Sequence, residues 1–132
     1  RRDVGTGLYE ALLAYNASVL EELTEERVKG VVLGSNVMWI VEFYSNRCPH
    51  CRKFAPEYIR AALSSPERIA GTVRFGAVNL RAFPALGTMY GITSFPWVAA
   101  FYQGKRVANM NGLSGAESVM RFAHDMRAKH TS

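Results

Sequence analysis

An α/β fold, a sheet covered by helices, is what this sequence predicts, and three observations predict it. Apolar runs of strand length recur at 37–44, 73–80 and 97–102. Segments with helical apolar spacing lie between and after them, and Gly, Pro, Asn or Ser marks the junctions. No internal repeat or low-complexity stretch competes with that reading. At 14.7 kDa and 48% hydrophobic residues, one domain with a core of ordinary size is expected.

Taken in order, Gly5–Asn16 places Leu8, Leu12 and Tyr15, with Ala11 beside them, on one face of a short amphipathic helix. Val19–Leu23 reads as a short strand. Thr24 stands at an N-cap position, followed by Glu25 and Glu26 in a first turn that favours acids. The strand 37–44 is too continuously apolar for an exposed edge and is expected to be central. Arg52–Leu63 is helical, with Pro56 expected to kink it, and Ser64-Ser65-Pro66 breaks it. A short helix, Glu67–Ala70, ends at Gly71. A strand at 73–80, a helix from Phe83 to Tyr90 closed by Gly91, and a hairpin of 97–102 with 106–110 follow. Ser114 with Glu117 forms a capping box for a last helix, whose inner stripe is Val119, Met120, Phe122 and Ala123.

The net charge of +5 comes from Lys and Arg scattered from Arg1 to Lys129, without a cluster or interleaved aromatics. A nucleic-acid partner is therefore not expected. No apolar run approaches the ~20 residues of a membrane-spanning helix. The termini, Arg1-Arg2-Asp3 and Lys129-His130-Thr131-Ser132, read as those of a processed form or a piece of a longer protein.

Cys48 and Cys51, the two cysteines of the chain, enclose Pro49-His50. Three positions apart, they can close a disulfide across one helical turn. A single pair cannot build a disulfide framework or supply four thiolates to a zinc site, which leaves mostly redox chemistry. The pair also sits between a strand and a helix, where CxxC is most informative. A metal or iron–sulfur site through Cys48, Cys51 and His50 is the weaker reading, because His50 would point away on a helix. No metal and no cofactor is expected.

These residues resemble the thioredoxin-fold domains of the protein disulfide isomerase family. The matching pieces are Val41-Glu42-Phe43-Tyr44, the run Cys48-Pro49-His50-Cys51-Arg52-Lys53-Phe54-Ala55-Pro56-Glu57-Tyr58, Phe75-Gly76-Ala77-Val78-Asn79, and Tyr90-Gly91-Ile92-Thr93-Ser94-Phe95-Pro96. The likeness covers about residues 18 to 128. It implies a thioredoxin-like fold with a central mixed β-sheet flanked by helices over 18–130, preceded by an N-terminal helical extension, 1–17. Three positions depart from the family pattern. Arg47 replaces the usual Trp, Pro49-His50 replaces Gly-His and is similar to strongly oxidising bacterial periplasmic enzymes, and Ser114 replaces an Arg of isomerases.

Thiol–disulfide exchange requires a thiolate, and an ordinary Cys of pKa ~8.5 is only about 3% ionised at pH 7. Cys48 is expected at a helix N-terminus, where unpaired amides and the helix dipole favour an anion and Pro49 suits the first helical position. His50 and Arg47 add donor or positive character on either side. Cys48 is then the attacking and attacked sulfur, and Cys51, one turn further in, the resolving one. By resemblance, Glu42 is a buried acid that moves protons to and from Cys51, with burial expected to raise its pKa. The Lys that thioredoxins pair with this acid is Ala77 here. Also by resemblance, Phe95-Pro96 is a cis bond facing the CxxC, and Ser94, Phe95 and Pro96 bind an extended substrate by β-strand addition. Trp97 stands where a small residue is commoner and is either core or a wall of the groove.

The expected function is therefore that of a protein thiol–disulfide oxidoreductase, acting as oxidase, isomerase or reductase on cysteine-containing polypeptides. Its expected setting is the endoplasmic reticulum lumen or another secretory space, as a monomeric domain or part of a larger protein. Its redox partner, glutathione or another oxidoreductase, is not specified by the sequence. The rival is a substrate-holding or chaperone module with weakly active cysteines. Asn16-Ala17-Ser18 is a formal glycosylation sequon. His124 and His130 read as solvated.

Overall fold

Strand β2 (Met38–Tyr44) is buried along its whole length, Glu42 included, as a mostly apolar strand flanked on both edges requires. It pairs in parallel with β3 (Val73–Asn79) and antiparallel with β4 (Trp97–Tyr102). β1 (Glu21–Leu23) adds in parallel outside β3, and β5 (Lys105–Asn109) adds antiparallel outside β4. The result is a mixed five-stranded sheet of order β1-β3-β2-β4-β5. This computed structural model describes residues 7–12, 17–112 and 115–131. Asn16 of the sequon, Tyr15 and Ser114 lie outside them.

Because side chains alternate along a strand, β2 serves two cores. Met38, Ile40 and Tyr44 pack with α3 (Pro49–Ser64) and α6 (Ala116–His130), while Trp39, Val41 and Phe43 face the opposite side. That second side is covered by a π-helical turn over Val28–Val32, which continues the short α2 (Glu25–Arg27), and by α5 (Pro84–Tyr90). Glu42 has the parity of Ile40 and Tyr44, so the period of the strand aims it at the α3 face. Among the described residues no helix is long and apolar enough to cross a membrane.

Most local signals act as read. Thr24 Oγ1 accepts the Arg27 N–H at 3.1 Å, and Gly91 closes α5 in the left-handed conformation. Gln103-Gly104, both with positive φ, turns the β4–β5 hairpin. Ser65 caps the four-residue helix α4 (Pro66–Ile69) by accepting the Arg68 N–H.

Other features differ from expectation. The expected strand from Val19 begins only at Glu21, with Val19 and Leu20 buried in the preceding turn. In the N-terminal helix α1 (Leu8–Leu12), Tyr9 is 1% exposed and Leu12 is 51% exposed. The buried face is thus not the Leu8–Leu12 stripe; α1 docks through Tyr9, whose hydroxyl finds a partner inside. The start of α6 is satisfied by Ser118, whose hydroxyl accepts the Gly115 N–H, and by Glu57 of α3, whose Oε1 accepts the Ala116 N–H at 3.0 Å. Glu117 is exposed. His124 is exposed too, but its Nδ1 lies 2.6 Å from Glu67 Oε2, tying α6 to α4.

Candidate active site

The loop after β2 delivers Cys48 to the N-cap of α3. Its backbone is extended, Pro49 occupies the first turn, and Cys48 Sγ accepts the Cys51 N–H at 3.3 Å. The sulfur therefore replaces one of the missing helical acceptors and sits at the positive end of a sixteen-residue helix. Arg52 holds the approach to this turn, donating to the Asn46 carbonyl at 3.1 Å. Arg47 and His50 are exposed beside it.

The two sulfurs differ in setting. Cys48 is half-buried and Cys51 has no exposed surface. Burial pushes the Cys51 thiol well above its ordinary range, and contact with the Cys48 sulfur pushes the same way. One sulfur is thus presented to solvent at a helix end, and the other is kept as a thiol behind it.

Glu42 is fully buried on the same face. Its neighbours in register are Ala77 on β3 and Val98 on β4, neither able to offset a charge. Tyr9 donates its hydroxyl to Glu42 Oε1 at 2.5 Å, and Oε2 has no hydrogen-bond partner among the described residues. Burial pushes the Glu42 carboxyl up to about 8; the Tyr9 hydrogen bond opposes that rise, while charge on Glu22 and Cys48 adds to it. Ionised Glu42 would in turn push Cys51 further up. At neutral pH the carboxyl is mostly protonated, and it can take or give a proton near that pH.

The Phe95–Pro96 bond is cis, as expected. Ser94, Phe95 and Pro96 line a cleft of about 670 Å³ that His50 of the CxxC also borders. Trp97 forms part of this wall, and its Nε1 donates to Asn109 Oδ1 at 3.0 Å, linking β4 to β5. The sequence left its role open between core and groove; it borders the groove and also packs against the Trp39, Val41 and Phe43 core. The fold thus assembles Cys48, Pro49, His50 and Cys51 on one helix end, Glu42 on the sheet beneath that helix, and Ser94-Phe95-Pro96 across the cleft.

Sequence reasoning missed Tyr9 and Glu22. Tyr9 reaches Glu42 across 33 positions of chain, and no local pattern marks such a contact. Glu22 is pushed up to about 7 by burial, although its oxygens accept hydrogen bonds from Tyr44 and from the amides of Tyr9 and Glu10. The adjacent acids Glu21 and Glu22 in the short strand Val19–Leu23 were the one available signal, and they do not tell which of the two turns inward.

Residues 19–125 match the family model described as Thioredoxin. The chain belongs to the thioredoxin family. It is 32% identical over 105 residues to human protein disulfide-isomerase A6, a match covering 80% of this chain and 24% of that protein. It is 31% identical over 126 residues to protein disulfide-isomerase 2-3 of Arabidopsis thaliana, covering 95% of this chain and 27% of the relative. The J-Trx1 fragment of ERdj5 superposes with a TM-score of 0.71 at 30% identity, covering 82% of this chain and 51% of the other. This thioredoxin-family chain spans about a quarter of the length of the curated relatives it matches.

Proposed function

We propose that this chain is a protein thiol–disulfide oxidoreductase domain of the protein disulfide isomerase kind, with Cys48 and Cys51 as its redox pair. The observation that carries the reading is the placement of one sulfur at the N-cap of α3, accepting a backbone amide, with the second buried behind it. That asymmetry is what exchange needs: a half-buried sulfur within reach of solvent at a helix N-terminus, and a protected one that reacts only intramolecularly.

In oxidation, a substrate thiolate attacks the Cys48 sulfur of the Cys48–Cys51 disulfide. The S–S bond breaks, Cys51 leaves with the electron pair, and Glu42 supplies its proton. A second substrate thiolate then attacks the mixed disulfide and releases Cys48, so the substrate gains a disulfide and the pair is reduced. In reduction the steps reverse: Cys48 attacks, Glu42 takes the Cys51 proton, and Cys51 resolves. Ser94, Phe95 and Pro96 bind the extended polypeptide in the cleft, next to His50.

The substrates proposed are cysteine-containing polypeptides, and the setting is a secretory compartment such as the endoplasmic reticulum lumen. That placement accords with the disulfide isomerases among the relatives, and their length supports a domain within a larger protein. Oxidation of a reduced two-cysteine peptide tests the activity. The wild-type disulfide form should transfer its disulfide to the peptide, and Cys48→Ala should not. Equal rates for the two proteins would leave a binding module instead.

A further inference from the structure

Behind the cysteine pair lie one buried carboxyl, Glu42, and one half-buried carboxyl, Glu22, and one residue of the N-terminal helix touches both. The Tyr9 hydroxyl donates to Glu42 Oε1 at 2.5 Å, while the Tyr9 backbone N–H donates to Glu22 Oε1 at 2.9 Å. Glu22 Oε2 accepts the Tyr44 hydroxyl, which accepts the Leu8 N–H at 2.8 Å. Glu22 also accepts the Glu10 N–H at 3.3 Å, so its carboxylate covers the opening amides of α1. The Tyr9 ring meets Tyr44 and Tyr58 edge-on, with centroids 5.5 and 5.9 Å away. This segment lies before the family match at 19–125, yet it supplies the hydrogen bond to Glu42 beneath the CxxC helix.

We propose that Tyr9 is a positioning residue for the proton on Glu42: by occupying Oε1, it leaves Oε2 as the atom that takes the Cys51 proton and returns it. This rests on the proton-transfer role proposed above for Glu42. A buried carboxyl has two oxygens that rotation exchanges, and a donor fixed on one of them ends that ambiguity. The same bond stabilises the carboxylate form, which keeps a share of Glu42 ionised near neutrality and so able to accept a proton. The ionisable groups acting on it are Tyr9 from α1, Glu22 from β1, Tyr44 on its own strand, Tyr58 and Cys51 from α3, and Cys48 at that helix's N-cap. None of these carries positive charge, so Tyr9 is the group that offsets the burial.

The step tested is resolution. The Cys51 proton moves to Glu42 Oε2, the Cys51 thiolate attacks the Cys48 sulfur of a mixed disulfide, and the bound thiol leaves with the electron pair. A coloured nitrothiobenzoate coupled to Cys48 reports that departure directly, and its release rate is followed against pH. With the carboxylate less stabilised, Tyr9→Phe should move the midpoint of the profile upward by about one pH unit, a roughly tenfold slower release at pH 7. In a Glu42→Gln background the same change should have no effect on the midpoint. A fluorotyrosine placed at position 9 keeps the shape while strengthening the donor, and should move the midpoint down. Superimposable profiles for wild type, Tyr9→Phe and the fluorotyrosine protein overturn the proposal while Glu42→Gln still alters the profile. If Glu42→Gln itself matches wild type, the proton-transfer reading beneath it is what fails.

Discussion

Glu42 stands directly opposite Ala77 in the parallel register of β2 and β3, so a methyl group occupies the place where a cation could offset the buried acid. By family resemblance thioredoxins carry a Lys there. Its absence leaves burial as the largest influence on Glu42, with a single tyrosine hydroxyl opposing it.

The first consequence is a pH-dependent stability. In the unfolded chain the carboxyl ionises near its ordinary 4.5, whereas in the fold it holds its proton to about 8. Between those values the native state binds a proton that the unfolded state has lost, so stability falls as pH rises across that window and levels above it. Glu22, held to about 7, adds a slope of the same sign between 4.5 and 7. Denaturation of Glu42→Gln at pH 5 and pH 8.5 should show a flatter dependence, by on the order of a few kcal/mol, with the variant gaining relative stability at the higher pH. Parallel slopes for both proteins would contradict the burial argument.

The unequal exposure of the two sulfurs predicts unequal trapping. Cys51→Ser removes the resolving group and leaves Cys48 at the helix end, so mixed disulfides with substrate peptides should accumulate and survive non-reducing electrophoresis. Cys48→Ser leaves a thiol without exposed surface, which should form few such adducts. The opposite pattern would exchange the two roles.

Close packing around Glu22 makes Gly7 sensitive. A Cβ at Gly7 would fall 2.3 Å from Glu22 Cδ and 2.4 Å from Oε1, both held by the hydrogen bonds that dock α1. Gly7→Ala must displace that carboxylate from its partners and should cost about 1–3 kcal/mol. Thermal or chemical denaturation measures the cost. An unchanged midpoint would mean that Glu22 relaxes freely.

The sheet and the cysteine site were legible because their causes are local. An apolar run names β2 and Pro49 after Cys48 names a helix start, while the place of Glu42 near Cys51 was legible only through the family resemblance. The docking of α1 was not legible. Its key residue falls off the Leu8–Leu12 stripe, and its partners lie on β1 and β2, brought near only by the fold. The π-helical turn was equally hidden. It arises because Val28 and Val32 are both buried and the Leu33 N–H reaches back to Val28 O at 2.9 Å, a tertiary choice that the local sequence leaves open. The role of Trp97 was undecided for a related reason, since its partner Asn109 sits across a hairpin whose register the sequence does not state.

Trp97 now carries a prediction about selectivity. Trp97 borders the Ser94-Phe95-Pro96 side of the cleft, packs partly against the core and donates its Nε1 to Asn109 on β5, so it is held as a wall against which an extended chain would lie. A small disulfide reaching Cys48 from solvent has no need of that wall. Trp97→Ala should therefore raise KM for a cysteine-containing peptide several-fold while leaving the reaction with a small aromatic disulfide nearly unchanged. Asn109→Leu keeps the ring and removes its tether, so it should weaken peptide binding less than Trp97→Ala does. An equal loss towards both kinds of substrate would mean that the indole supports the cysteine loop itself, and comparing the two KM values for each variant decides between these roles.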